Sequence, residues 1–296
     1  MLDKMKIYLY RENKVSYVFL LPSLIILFVF AIIPLCGSLY VAFTNMDIFF
    51  SDVGFAGINN FFRALGDERF WNALKNTIVF AGVEVPLQVG IGLIIASVLA
   101  STSFFNKLTR TIYFIPVVCS MTAVGIIWSL LADQTIGLIP YFLKMIGIES
   151  VTFFRDPSTA MATVIMMTVW KNFGYTMSIL IVGIQSISKN YYEASEIDGA
   201  SKIQQFFYIT IPCLIPHLGF CLITNLIGSL QVFDQVYVTT QGGPQYRTET
   251  LVYYIYKMGF SHPFDLGYAS AISVLMLIII LVLSLPLYRK FFMNSE

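Results

Sequence analysis

The chain has 296 residues, of which 57% are hydrophobic, 16% aromatic and only 12% charged, with a net charge of +1. A soluble domain carries about 25% charged residues, so the composition argues against an ordinary soluble domain, and the neutral balance without a basic cluster argues against a nucleic-acid surface. Cys36, Cys119, Cys213 and Cys221 stand singly in or beside apolar runs, and His217 and His262 are isolated, which leaves no pattern for a disulfide framework, a metal site or a catalytic triad.

Residues 1–14 are polar and carry Lys4, Lys6, Arg11 and Lys14. The apolar run 17–43 that follows is longer than the h-region of a cleaved signal, about 7–15 residues, so it is expected to persist as a first membrane helix. Further apolar runs at 73–100, 110–132, 159–184, 213–235 and 267–288 are each long enough to cross a hydrocarbon core of about 30 Å. Six spans place both termini on one side. With the termini inside, the internal segments hold ten Lys and Arg, Lys4 through Lys290, against six in the longer external loops, and that bias puts both ends in the cytoplasm.

The external loops are longer than simple connections require. Residues 44–72 predict an irregular stretch followed by an interfacial helix, residues 133–158 a short helix around Pro140–Ile146, and residues 236–266 a tight turn at Gly242-Gly243-Pro244. Within the second span Glu84, the one acid deep in an apolar run, lies two residues before Pro86, where a kink and a structural or gating role are expected.

The internal loop 190–212 predicts two short helices. Asn190 and Glu193 form a capping-box pattern that starts the first, and Gly199 ends it, because glycine enters the left-handed region without a Cβ penalty. Ser201 and Gln204 then form a second capping box ahead of Ile203, Phe206, Phe207 and Thr210, which recur at helical spacing up to Pro212.

Glu193-Ala194, Asp198-Gly199-Ala200, Ile209, Ile211-Pro212 and Pro216 in this loop resemble the signature of ABC-importer permeases, with Ser195 where that family usually has alanine. Phe233-Asp234, Gly242-Gly243-Pro244, Thr248, Thr250-Leu251 and Tyr253-Tyr254-Ile255-Tyr256 are similar to the carbohydrate-uptake branch of the family, the maltose, glycerol-3-phosphate and multiple-sugar type. The resemblance covers nearly the whole chain. It implies an all-α integral membrane protein with six transmembrane helices, the type I ABC importer permease fold, as a single transmembrane permease domain over residues 1–296 of a multi-pass protein in the bacterial cell (inner or plasma) membrane. It implies that residues 190–212 are a cytoplasmic coupling helix, with Glu193, Ala194, Asp198, Gly199 and Ala200 meeting an ATPase. The implied partners are a second permease subunit forming a heterodimer, two ATP-binding cassette subunits, an extracytoplasmic sugar-binding protein and membrane lipid. ATP and Mg²⁺ would be bound by the ATPase subunits; this chain has no P-loop motif of its own, so it is expected to be a transport subunit without a cofactor or catalytic residues.

Polar groups at bilayer depth are costly and mark a pathway or a helix contact. Trp170, Lys171, Asn172 and Tyr175 cluster at mid-depth in the fourth span, and Asn225, Gly228, Ser229 and Val232 share one face of the fifth at spacing i, i+3, i+4, i+7. Amides and hydroxyls suit the hydroxyls of a neutral sugar and an aromatic ring suits its apolar face, while the same groups equally serve as interhelical hydrogen-bond glue. Aligned through the family motifs, the sugar contacts of the maltose-type permease fall near Asn172, Tyr175, Asn225, Gly228, Ser229 and Val232. Lys171 is open to pairing with Asp234 or Glu84, to meeting an anionic substrate, or to snorkelling. The function expected is a permease subunit of an ATP-driven, binding-protein-dependent sugar importer; the alternative is a self-sufficient channel or an ion-coupled secondary carrier for a small polar solute, which would require a buried acid or histidine relay. In a background lacking the four native cysteines, Ser195→Cys is expected to react with impermeant thiol reagents only from the cytoplasm and Gln245→Cys only from outside; labelling of both from one face would overturn the six-span topology.

Overall fold

The computed structural model describes residues 19–51, 53–148 and 151–293, and these are almost entirely helical. The helices are α1 (Phe19–Val41), α2 (Asn59–Leu65), α3 (Glu68–Leu99), α4 (Phe104–Val118), α5 (Met121–Leu131), α6 (Leu138–Met145), α7 (Ala160–Ser186), α8 (Lys189–Ile197), α9 (Lys202–Cys213), α10 (Ile215–Leu230), α11 (Asp234–Thr239), α12 (Leu251–Phe260) and α13 (Leu266–Met293). Four of them, α1, α3, α7 and α13, are each long and apolar enough to cross a membrane, and six spans result if the bent pairs α4–α5 and α9–α10 each count as one. Residues 17 and 18 of the first predicted span lie outside the described residues.

The bends follow from local sequence. Pro116 removes a helical donor near the end of α4, and Ser120 then caps α5 by accepting a hydrogen bond from the Ala123 amide at 3.2 Å; the two axes differ by 97°. Pro212 and Pro216 flank Leu214, where α9 and α10 meet at 68°. The predicted span 213–235 therefore differs from the structure: its apolar helix α10 runs from Ile215 only to Leu230, and α9 precedes it at an angle of 68°. α3 begins at Glu68, earlier than the apolar run suggests, because Asp67 caps it by accepting from the Arg69 amide at 2.9 Å, and it runs unbroken through Pro86. The short helices expected in the first two external loops are present as α2 and α6. Helices α11 and α12 in the third were not anticipated.

The chain divides into two compact units. One contains the described residues up to Gly66 together with Lys257–Leu275; the other contains Asp67–Tyr256 and the described residues from Met276 on. In the first, Asn60 is buried and its amide donates to the carbonyls of Ala42 at 3.1 Å and Thr44 at 2.8 Å, while Arg63 pairs with Asp265 at 2.6 Å and stacks over Tyr268. The second unit is built around α7, the most buried of the membrane-length helices. α3 and α10 pack on it through Val85, Val89, Ala96, Met177, Leu180 and Cys221, and a second apolar cluster joins Phe80, Val164, Ile165, Val169, Val232, Val236 and Tyr253.

Above these clusters an ionic clasp fastens the loop after α11 to the start of α3. Arg69 forms a two-pronged ion pair with Glu249, both contacts at 2.7 Å, and lies over the Tyr246 ring at 4.3 Å. Glu249 is fully buried, so the fork geometry of arginine offsets a desolvation cost that a point charge would meet less well. Asn76 donates to the carbonyls of Tyr246 and Glu249, the Leu251 amide donates to Thr77 at 2.8 Å, and the Tyr254 hydroxyl donates to Asp67. Glu249→Ala is expected to lower the stability of the purified protein by about 3 kcal/mol, the lower end of the cost of breaking a buried pair because the arginine stays partly hydrated. Thermal unfolding in detergent measures this, with Arg69→Lys expected to fall between the wild type and Glu249→Ala.

Candidate functional site: a polar cavity at membrane depth

A cavity of about 210 Å³ opens among α3, α4, α7, α10 and α11. Asn172, Tyr175, Asn225, Gly228 and Ser229, five of the six positions expected to meet a substrate, line it. Val232 does not. Its side chain is buried in the apolar cluster with Phe80 and Val169, and its carbonyl accepts from the Thr250 hydroxyl at 2.9 Å. Its place in the helical spacing is kept only as far as α10 remains helical, and α10 ends two residues before it.

Two close approaches bring these side chains together. A Cβ on Gly92 would lie only 3.0 Å from the Thr176 methyl group, so α3 and α7 touch there nearly backbone to backbone. A Cβ on Gly174 would collide with the Tyr113 carbonyl of α4. With the helices this close, the hydroxyl of fully buried Thr176 accepts hydrogen bonds from Gln88 of α3 and Asn225 of α10, each at 3.1 Å. One level further along, the Ser229 hydroxyl donates to Glu84 and lies 2.8 Å from the Asn225 carbonyl.

The glue role and the lining role thus coincide. Asn225 and Ser229 bridge helices and also face the cavity. Tyr175 is the aromatic group of the set, with 44% of its surface exposed. Lys171 pairs with neither Asp234 nor Glu84: its ammonium donates to the Val117 carbonyl at 3.2 Å and to the Asn172 carboxamide oxygen at 3.4 Å. Trp170 turns away to meet Trp128, with ring centroids 5.7 Å apart.

Several lining residues escaped the sequence reading. Glu84 and Gln88 sit four apart on one face of α3, a spacing that marks a polar stripe in an apolar helix. Glu84 stood out only as a buried acid beside a proline and Gln88 not at all. Phe80, Val117, Thr168, Thr224 and Gln235 complete the wall and carried no signal beyond composition.

The second candidate site is the loop that carries α8 and the start of α9. α8 begins at Lys189, not at an Asn190–Glu193 capping box: the Ser188 hydroxyl accepts from the Asn190 amide at 3.4 Å, and Glu193 lies too far along the helix to reach back to its start. At the other end the expectation for Gly199 holds, with φ at +79°. The Gly199 amide donates to the Glu196 carbonyl and the Ala200 amide to the Ser195 carbonyl, the paired pattern that closes a helix on a left-handed residue. The Ser201–Gln204 capping box is present in both directions, with the Ser201 amide donating to Gln204 at 2.7 Å. Buried Gln205 ties the two helices by donating to the Ser195 hydroxyl at 2.9 Å and the Tyr192 carbonyl at 3.2 Å. A hydrogen bond from Lys202 holds the Glu196 carboxyl below its ordinary range. Glu193, Ala194, Asp198 and Gly199 are exposed, Ala200 is half-buried, and Ile197 beside them is 88% exposed.

Residues 88–291 match the family of binding-protein-dependent transport system inner membrane components. The probable ABC transporter permease protein YurN of Bacillus subtilis (strain 168) is 36% identical over 291 residues, 97% of this chain and 99% of that protein. The trehalose/maltose transport system permease protein MalF of Thermococcus litoralis is 33% identical over 275 residues, 92% of each. Among solved structures, a chain of the bacterial alginate ABC transporter, in complex with alginate pentasaccharide-bound periplasmic protein, has a TM-score of 0.84 at 23% identity and covers 97% of this chain and 96% of its own. That likeness establishes the permease fold.

Two glycines test the packing. Gly174→Ala is expected to cost about 1–3 kcal/mol, the usual penalty of overpacking, since its Cβ meets a backbone carbonyl. Gly228→Ala, which meets nothing within 4 Å, is expected to change stability by less than about 1 kcal/mol. Thermal unfolding of the two variants side by side measures the difference.

Proposed function

Because the chain belongs to the family of binding-protein-dependent transport system inner membrane components, we propose that it is the permease subunit of an ATP-driven importer for a sugar or oligosaccharide. In this reading it supplies half of a translocation pathway, paired with a second permease, two ATP-binding subunits and an extracytoplasmic sugar-binding protein, in a bacterial cell membrane with both termini in the cytoplasm. Hydrolysis of ATP belongs to the partner subunits and not to this chain.

The observation that carries the substrate class is the cavity itself. Its wall combines the carboxamides of Gln88, Asn172, Asn225 and Gln235 with the hydroxyls of Thr168, Thr224 and Ser229 and the Tyr175 ring. Such a set pairs with several hydroxyls while stacking on an apolar ring face, and an amide of either polarity can meet a hydroxyl as donor or acceptor. The transport function named for the trehalose/maltose relative is in keeping with it.

The α8–α9 loop serves as the coupling element. Glu193, Ala194, Asp198 and Gly199 present a mixed polar and apolar face with Ile197 at its tip, and Gln205 makes the two helices one rigid piece. A push on α8 is carried through α9 to α10, which holds Asn225 and Ser229 on the cavity wall. The path from ATPase to substrate is thus a continuous run of chain.

Uptake and sugar-stimulated ATP hydrolysis by the reconstituted importer test both halves. Asn225→Ala is expected to weaken substrate engagement by about 1–3 kcal/mol, the cost of leaving a buried partner unpaired, Tyr175→Ala to weaken it through loss of the stacking face, and both to shift preference among related sugars. Gly199→Val strains a left-handed turn by about 1 kcal/mol or more and is expected to lower stimulated hydrolysis with sugar preference unchanged. Unchanged uptake and selectivity in both cavity variants would move the substrate site off this chain.

A further inference from the structure

A second cavity, of about 370 Å³, lies at the far end of α11, walled by the end of α5, the segment leading into α7 and the loop that follows α11. α5 is held against α11 where a Cβ on Gly125 would lie 3.1 Å from Val238. Thr239, on the wall of this cavity, follows Gln235, on the wall of the first, by one helical turn, and its hydroxyl donates to the Gln235 carbonyl at 2.6 Å. Asp133 and Arg155 form an ion pair at 3.1 Å on the same wall. The Asp133 carboxylate also accepts from the Thr135 amide at 2.9 Å and the Ile136 amide at 3.4 Å. The bonds from Thr135, with the Ile136 amide and Arg155 after them, hold this carboxyl below its ordinary range, so it is ionised at neutral pH. The Ser129 hydroxyl, from α5, is buried at the wall without a hydrogen-bond partner among the described residues, a costly condition that a hydroxyl-bearing ligand relieves.

We propose that this second cavity is a further sugar subsite, adjoining the first along α11, that binds one unit of a neutral saccharide across the Asp133–Arg155 pair. This rests on the sugar reading above. Two neighbouring hydroxyls of a sugar span the pair, one donating to the carboxylate and the other accepting from the guanidinium, and both bonds are charge-assisted. A guanidinium has five N–H donors, of which the bond to Asp133 uses one. Because the pair is neutral as a whole, it offers no net attraction to an anion. The Thr239 oxygen, whose proton goes to Gln235, is left to accept, and Phe154 adds an apolar wall. A few convergent polar groups beside apolar surface, in a volume of about 300–1,000 Å³, is the make-up of small-molecule sites in general. Gln235 and Thr239 share one face of α11 at spacing i, i+4, so a saccharide meets polar partners in passing from one cavity to the next.

The test is protection of Gln134→Cys, an exposed position on the wall, from an impermeant maleimide in the assembled importer, reconstituted in proteoliposomes with the four native cysteines removed. The probes are glucose, galactose, maltose and cellobiose, each titrated without a binding protein, and their uptake with the binding protein is measured in parallel. At least one is expected to slow labelling by about fivefold or more at saturation, since mass action leaves about a tenth of sites open at ten times the Kd. Asp133→Asn and Arg155→Gln are each expected to raise the concentration needed by about tenfold, as loss of a bond to a charged group does. Asn225→Ala, which alters the first cavity, is expected to leave this protection in place. Protection that survives unchanged in both ion-pair variants, or that disappears in Asn225→Ala, overturns the subsite and leaves the sugar reading standing. So does uptake of a sugar with no protection by any of the four, and protection by sugar-free binding protein in their place assigns the cavity to protein docking instead. Neither uptake nor protection with any of the four overturns the subsite and the sugar reading together.

Discussion

The polar interior of this protein hangs on the Thr176 hydroxyl. It lies at full burial where α3 and α7 come within backbone distance at Gly92, and it accepts from Gln88 on one side and Asn225 on the other. In a bilayer interior an unpaired amide has no water to turn to, so three helices are drawn to one point by the need to satisfy two carboxamides. The apolar contacts of Val89, Met177 and Cys221 fill the space around that point but set no register. The hydroxyl does, because only one alignment of α3, α7 and α10 brings both amides within reach. Glu84 and Ser229, each four residues from one of those amides, then meet at the next level.

The cavity is a consequence of the same arrangement. Where helices are pinned by short polar side chains, and where α10 carries Gly228 with open space before it, the wall cannot close as a core of leucines would. The result is a hollow whose wall mixes polar and apolar groups, several of the polar ones already hydrogen-bonded to one another. A hydroxyl-bearing ligand placed there would exchange partners, each broken internal bond being replaced by one to the ligand.

The run of glycine, proline, threonine and tyrosine between α11 and α12 serves a different end. Thr248 closes the loop on itself through Gly243 and Thr240, Thr250 ties it to Val232 just past α10, and Glu249 and Tyr254 fasten it to Arg69 and Asp67 at the start of α3. The clasp holds the outer end of α3, and α3 carries Glu84 and Gln88 to the cavity. The internal loop works by the opposite logic. Its turns are closed by nearest neighbours in sequence, Ser195 to Ala200 and Ser201 to Gln204, and its outer face is left bare.

By itself the sequence determined what depends on short range and on the bilayer. Span-length apolar runs, the left-handed glycine at position 199, the Ser201–Gln204 box and the polar face of Asn225, Gly228 and Ser229 were legible because helical periodicity, capping chemistry and the cost of polar groups in lipid act over a few residues. The helix start at Ser188 in place of Asn190 was a choice between adjacent caps of similar quality, which spacing alone does not settle. Only the tertiary structure decided which polar groups meet. Gln88 and Asn225 share Thr176, Glu84 faces Ser229 instead of Lys171, Arg69 finds Glu249, and Val232 is turned into the core. Those partners lie between 49 and 180 residues apart in the chain, and no local rule reports which helices will be brought within a hydrogen bond of one another.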